Sequence, residues 1–90
     1  MKSNFPVLLK DGEKLIPVIF ISADENILYS IICKNTDNFS IIENLIYNKY
    51  PCYKNENNIF IINGQTINKN KNLEYNNIKY SDIIEIKTNN

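Results

Sequence analysis

Ile59-Phe60-Ile61-Ile62-Asn63-Gly64-Gln65-Thr66-Ile67 decides how this chain is read, together with Leu73-Glu74-Tyr75-Asn76-Asn77-Ile78 and Ser81-Asp82-Ile83-Ile84-Glu85-Ile86-Lys87 behind it. The first apolar run is short and β-rich, and it ends on Asn63-Gly64. That dipeptide suits the positive φ of a tight hairpin turn, so Gln65-Thr66-Ile67 reads as the answering strand. Leu73 and Ile78 stand at either end of a compact turn. In the last run Ile84 and Ile86 alternate with Glu85 and Lys87, the pattern of a half-buried strand with one wet face.

Upstream, Val18-Ile19-Phe20-Ile21-Ser22 and Ile27-Leu28-Tyr29-Ser30-Ile31-Ile32-Cys33 flank the polar Ala23-Asp24-Glu25-Asn26 and read as an antiparallel hairpin. Their near-continuous apolar character leaves the buried face open. Phe39, Ile42, Ile46 and Tyr50 fall on helical spacing with Leu45 beside them. Thr36 or Asp37 is the expected N-cap. Pro51 requires the helix to stop by Lys49 or Tyr50. Asp11-Gly12 between Val7-Leu8-Leu9 and Leu15-Ile16 predicts a further hairpin, bracketed by Pro6 and Pro17. One amphipathic helix and one mixed sheet each need a face covered, so helix across sheet is the economical architecture. The last strand is expected in the middle of the sheet, beside the first.

The chain has 90 residues and 10.5 kDa, with 43% hydrophobic and 22% charged residues, which fits one small globular domain. Lys+Arg and Asp+Glu are 10 each, a balance that speaks against a nucleic-acid or anionic-membrane binder. No run of about 18 apolar residues suggests a membrane span, and Met1 to Pro6 does not read as a signal peptide. His and Trp are absent and every basic residue is Lys. There is thus no imidazole base, no Ser-His or Cys-His pair and no bidentate phosphate fork. The carboxylates show no pairing suited to acid–base work, and no phosphate-binding glycine motif occurs. Cys33 and Cys52 are far apart and without histidine partners, so no metal site is expected. They read as two reduced thiols in a cytoplasmic protein, one of them in the core, with a Cys33–Cys52 bridge as the alternative. The wealth of Asn, Ile, Lys and Tyr suggests an AT-rich source.

The ordered succession from about Val18 to Lys87 resembles the ubiquitin-like domains of the β-grasp fold. The resemblance rests on the strand into Asn63-Gly64, the short strand after it, Leu73 to Ile78, Ser81-Asp82 and the final alternating strand. Thr36-Asp37 before the helix and Tyr50-Pro51 after it agree. It implies an α+β β-grasp: a mixed sheet packed on one central helix. Residues 18–88 would form this domain and residues 1–17 an extension, as an added hairpin or an interface. Conjugated members of the family and its sulfur carriers end in Gly-Gly, whereas Gly12 and Gly64 are the only glycines here. Conjugation is therefore not expected. The central isoleucine of ubiquitin's apolar binding patch falls at Ile61. The other patch positions fall at Lys87 and near Ala23, so only Ile61 is retained. Gln65 stands near the position of ubiquitin's chief chain-forming lysine.

The implied function is a non-catalytic adaptor domain, a module of a larger protein, that binds another protein and takes no cofactor, nucleic acid or membrane. The expected contact residues are Ile59, Ile61, Gly64, Glu85 and Lys87, on an exposed sheet face. Strand addition at a sheet edge, as in Ras-binding relatives, is a second mode. The rival function is a structural subunit of a large assembly, anchored by the apolar N-terminal segment.

Overall fold

A computed structural model describes residues 9–88. Its elements are β1 (Leu15–Ser22), β2 (Leu28–Lys34), α1 (Phe39–Lys49), a 3₁₀ turn (Pro51–Tyr53), β3 (Asn58–Ile62), β4 (Gln65–Thr66) and β5 (Asp82–Thr88). The strands form one sheet in the order β2-β1-β5-β3-β4. β5 lies in the centre, parallel to β1 and antiparallel to β3. The β1–β2 and β3–β4 pairs are antiparallel. A mixed sheet packed on a single helix, with the last strand in the middle beside the first, is the architecture expected from the sequence.

Alternation decides which side of the sheet meets the helix. Ile16, Val18, Phe20 and Ser22 of β1 are buried, as are Asn58, Phe60 and Ile62 of β3 and Ile84 and Ile86 of β5. The helix turns Phe39, Ile42 and Ile46 onto this side, leaving Leu45 exposed. Phe20, Phe39 and Phe60, all fully buried, meet at the centre. Phe39 and Phe60 sit edge to face with centroids 4.9 Å apart, and Phe20 stands 6.3 and 6.2 Å from the two. Such aromatic pairs contribute roughly 0.5–1.5 kcal/mol each beyond the area they bury. Ile67, Leu73 and Ile78 from the long segment before β5 close the remaining side of the core.

Two buried asparagines pin the irregular segments. The Lys14 amide donates to Asn35 Oδ1 at 2.7 Å, and Asn35 Nδ2 donates to the Gly12 carbonyl and to Glu74. Asn58 Nδ2 donates to the Tyr53 carbonyl at 2.7 Å and to the Tyr47 hydroxyl, while Thr88 donates to Asn58 Oδ1. Among the described residues no buried side-chain polar atom lacks a partner, as expected where desolvation without a hydrogen bond costs more than the bond returns.

Three local expectations need correction. The helix N-cap is Asn38, whose Oδ1 accepts from the amide and hydroxyl of Ser40. The earlier capping candidates are engaged elsewhere: Asp37 accepts from the Lys34 amide, and the Thr36 hydroxyl donates to Glu13. Pro17 does not bracket a strand but lies inside β1, opposite Ile32, so β1 begins at Leu15 and crosses the boundary drawn at residue 17. Its ring is tolerated because the β1–β2 bonds use the even residues, as the Lys14–Asn35 and Ser22–Ile27 bonds at either end show. Pro17 therefore turns its nitrogen toward β5, which joins the ladder only from Val18. At Asp11-Gly12 only Gly12 has positive φ, and the Glu13 amide closes onto the Lys10 carbonyl. No strand precedes this turn among the described residues; Val7 and Leu8, the first arm of the expected hairpin, lie outside them. Asn63 and Gly64 do both carry positive φ, of 51° and 79°, as a type I′ turn requires.

In the β1–β2 turn Asp24 accepts from the Ser22 hydroxyl, the Tyr53 hydroxyl and the Asn26 amide. The Ser22 hydroxyl, then that of Tyr53, hold its carboxyl at about 2, against an ordinary value of 3.8. A depressed folded-state value means that this stabilisation is present above the unfolded value and is lost as pH falls through the folded one.

Two outcomes follow for urea unfolding. Phe39→Ala is expected to cost about 3–5 kcal/mol, against about 1 kcal/mol for Asn38→Ala; equal effects would contradict an aromatic centre. Asp24→Asn is expected to lower the midpoint at neutral pH and to flatten its decline between about pH 4 and pH 2. An unchanged acid slope would show that the turn's hydrogen bonds do not favour the ionised form.

Candidate protein-binding face

The side of the sheet away from α1 has no element covering it among the described residues. The register specifies what lies on it. One row crosses all five strands as Leu28, Ile21, Glu85, Ile61 and Thr66. A second row carries Ser30, Ile19 and Ile83, a third Ile32 and Pro17, and a fourth Lys87 and Ile59. Leu28, Ile32 and Ile83 are 75, 70 and 55% exposed. Ile19, Ile21, Ile59 and Ile61 are half-buried. Single exposed apolar residues are ordinary, but contiguous ones of this kind mark an interaction surface.

Ile59, Ile61, Glu85 and Lys87 therefore come together on one face. Glu85 stands between Ile21 and Ile61, a half-buried carboxylate within the isoleucines, and Lys87 faces Ile59 at the margin. Neither charge takes part in an ion pair with another described residue; the pairs present are Lys34–Glu13 at 3.7 Å and Lys69–Glu43 at 2.8 Å. Gly64 lies apart from the other four, in the turn at the end of β3, with open space where a Cβ would stand. Its positive φ of 79° belongs to that turn.

Sequence reasoning missed the half of the face formed by Ile19, Ile21, Leu28, Ile32 and Ile83. Four apolar residues in succession, Val18 to Ile21, have no polar partner to mark the outward side. Ser22, the one polar residue at the end of the run, points the wrong way: it shares the buried side with Val18 and Phe20, where its hydroxyl accepts from the Ile27 amide.

Among the described residues no cluster of three or more Cys, Asp or Glu side chains is placed to hold a metal ion. An open cleft of about 390 Å³ between Leu15, Ile78 and Tyr80 contains Glu74, but that carboxylate is bonded to Asn35. Cys33 is buried and Cys52 exposed, and both are free thiols. Burial, and secondarily the Asp37 charge, push the Cys33 thiol up to about 12; its Sγ donates to the Ile16 carbonyl. No helix among the described residues is long and apolar enough to cross a membrane.

No family model matches the chain, and no curated protein matches it. Among solved structures it is similar to a designed protein based on ubiquitin, with a TM-score of 0.71 and 16% identity over 88% of this chain and 92% of the other. The fold is a ubiquitin-like β-grasp. At that identity the likeness extends to the fold alone. In this ubiquitin-like frame the outer face just described lies on the opposite side of the sheet from the helix, and it is wider and more apolar than the retained Ile61 by itself suggests.

Thiol chemistry gives a direct check on this arrangement. A bulky disulfide reagent at neutral pH is expected to modify Cys52 alone in the folded chain and both thiols in urea, since reactivity follows the thiolate and its access. Rapid reaction of both in the native state would contradict the burial of Cys33.

Proposed function

We propose that this ubiquitin-like chain is a non-catalytic protein-interaction module that binds a partner protein through the outer face of its sheet. One observation carries the reading: Ile19, Ile21, Ile59, Ile61 and Ile83 all lie on the open side of the sheet, with Glu85 set among them. An apolar surface of this kind gains by leaving water, and a carboxylate within it selects a partner that brings a donor or a positive charge to the same point. Lys87 disfavours a second positive charge at the Ile59 margin. The absence of His from the sequence supports a binding role over acid–base catalysis.

The complementary surface is thus an amphipathic segment, apolar at several positions and carrying one Lys, Arg or amide group opposite Glu85. Central, desolvated side chains carry most of the energy in such contacts, typically 2 kcal/mol or more each. Ile61 and Ile83 are the residues expected to fill that role.

Capture from an extract of the source cells tests this. The wild-type chain is expected to retain a partner that Ile61→Asp and Ile83→Asp lose by at least about 30-fold, the equivalent of 2 kcal/mol. Far-ultraviolet circular dichroism should show both variants folded. Loss of the same partner from Leu45→Asp, on the exposed side of α1, with full retention by Ile61→Asp, would move the site to the helix and contradict the reading.

A further inference from the structure

The two edges of the sheet are unlike. β4, at one edge, is two residues long and polar. β2, at the other, has seven residues, Leu-Tyr-Ser-Ile-Ile-Cys-Lys, and only its last is charged. Sheet edges are ordinarily blunted by charge, proline, a bulge or shortness, and between Leu28 and Cys33 the β2 edge has none of these. The β1–β2 bonds engage Tyr29, Ile31 and Cys33, in phase with the Ser22–Ile27 and Lys14–Asn35 bonds at the ends of the ladder. Leu28, Ser30 and Ile32 therefore direct their amides and carbonyls to the open side. Of these groups the Leu28 carbonyl accepts a long bond, 3.4 Å, from the Tyr50 hydroxyl.

The strand is also complementary to itself. In an antiparallel pairing with a second copy, centred on Ser30, Leu28 lies opposite Ile32 of the second copy and Ile32 opposite Leu28. These are the two most exposed apolar residues of the strand, at 75 and 70%. On the helix side Tyr29 meets Ile31 of the second copy. Lys34 lies beyond the paired residues and keeps its own partner, Glu13. The match rests on the apolar residues at the centre of the strand.

We propose that the open edge of β2 pairs antiparallel with β2 of a second copy of this chain, with the two-fold axis at Ser30. The pairing joins the two five-stranded sheets into one and makes their outer faces continuous. It does not depend on the partner binding proposed above. If both hold, one assembly offers two copies of the binding face side by side, and avidity raises its hold on a repeated partner without any new contact. An edge pairing buries less than a standard interface of about 1,600 Å², so the association is expected to be weak, with a Kd on the order of 10–500 μM.

Sedimentation velocity of the whole chain from about 10 μM to 1 mM is the test, joined to amide hydrogen exchange over the same range. The mass is expected to rise from 10.5 kDa toward twice that value, with protection of the Ser30 and Ile32 amides growing with concentration. Ser30→Pro should abolish the rise and leave the fold intact, because the amide it removes faces away from β1. Ile32→Lys should do the same by placing charge in the pairing. Ile61→Asp should leave the rise unchanged, which separates this result from a failure of the partner-binding reading. A monomer at every concentration would overturn the proposal. So would protection of Ser30 and Ile32 that is independent of concentration, which would mean that the edge is covered within one chain. Association that survives Ser30→Pro and Ile32→Lys but is lost in Ile61→Asp would place self-association on the outer face instead and equally overturn it.

Discussion

The contact of Phe20, Phe39 and Phe60 sets what the rest of the structure can do. The three rings come from the first strand, the helix and the third strand, and each pair is within 6.3 Å between centroids. Their positions fix which side of β1 and β3 is buried. Because side chains alternate along a strand, that choice also fixes which residues are turned outward. Had β1 slipped by one residue, Ile19 and Ile21 would be core and Phe20 would face water. The apolar outer face is thus the far side of the same register that buries the phenylalanines.

The remaining polar interactions serve this arrangement. Asn35 and Asn58 satisfy backbone groups that the turns would otherwise bury unpaired. Lys69 donates to the Asn58 carbonyl, pairs with Glu43 and stands 5.4 Å from the centre of the Phe60 ring. A single lysine from the loop thereby ties helix, third strand and aromatic core together, which gives that otherwise solvated Asn/Lys segment a fixed course.

Much of the fold is legible in the sequence because several local signals agree. Asn63-Gly64 pins one hairpin, Pro51 ends the helix, and Glu85 and Lys87 mark the wet side of the last strand. Legibility fails where signals compete or are absent. Asn35, Thr36, Asp37 and Asn38 are all capping types, and only the tertiary bonds of Asp37 and Thr36 leave the cap to Asn38. Pro17 reads as a boundary because the one-sided character of its ladder position is set by where β5 begins. Ile61, and Ile59 with it, is placed on the open face through the resemblance to ubiquitin's binding patch, and Ile83 shares the side that Glu85 and Lys87 mark. Ile19 and Ile21 could not be placed, since uninterrupted apolar runs carry no mark of side. The face was therefore read at half its extent.

An apolar sheet face with a carboxylate in its midst is the feature from which the proposed role is drawn. Isoleucine methyl spectra of the labelled chain, recorded with and without the partner captured from the source extract, test it most directly. The δ-methyl signals of Ile19, Ile21, Ile59, Ile61 and Ile83 are expected to shift or broaden, while those of Ile42 and Ile46, on the buried side of α1, stay in place. Shifts confined to Ile41, exposed on α1, with the sheet isoleucines unmoved, would contradict a role for the outer face.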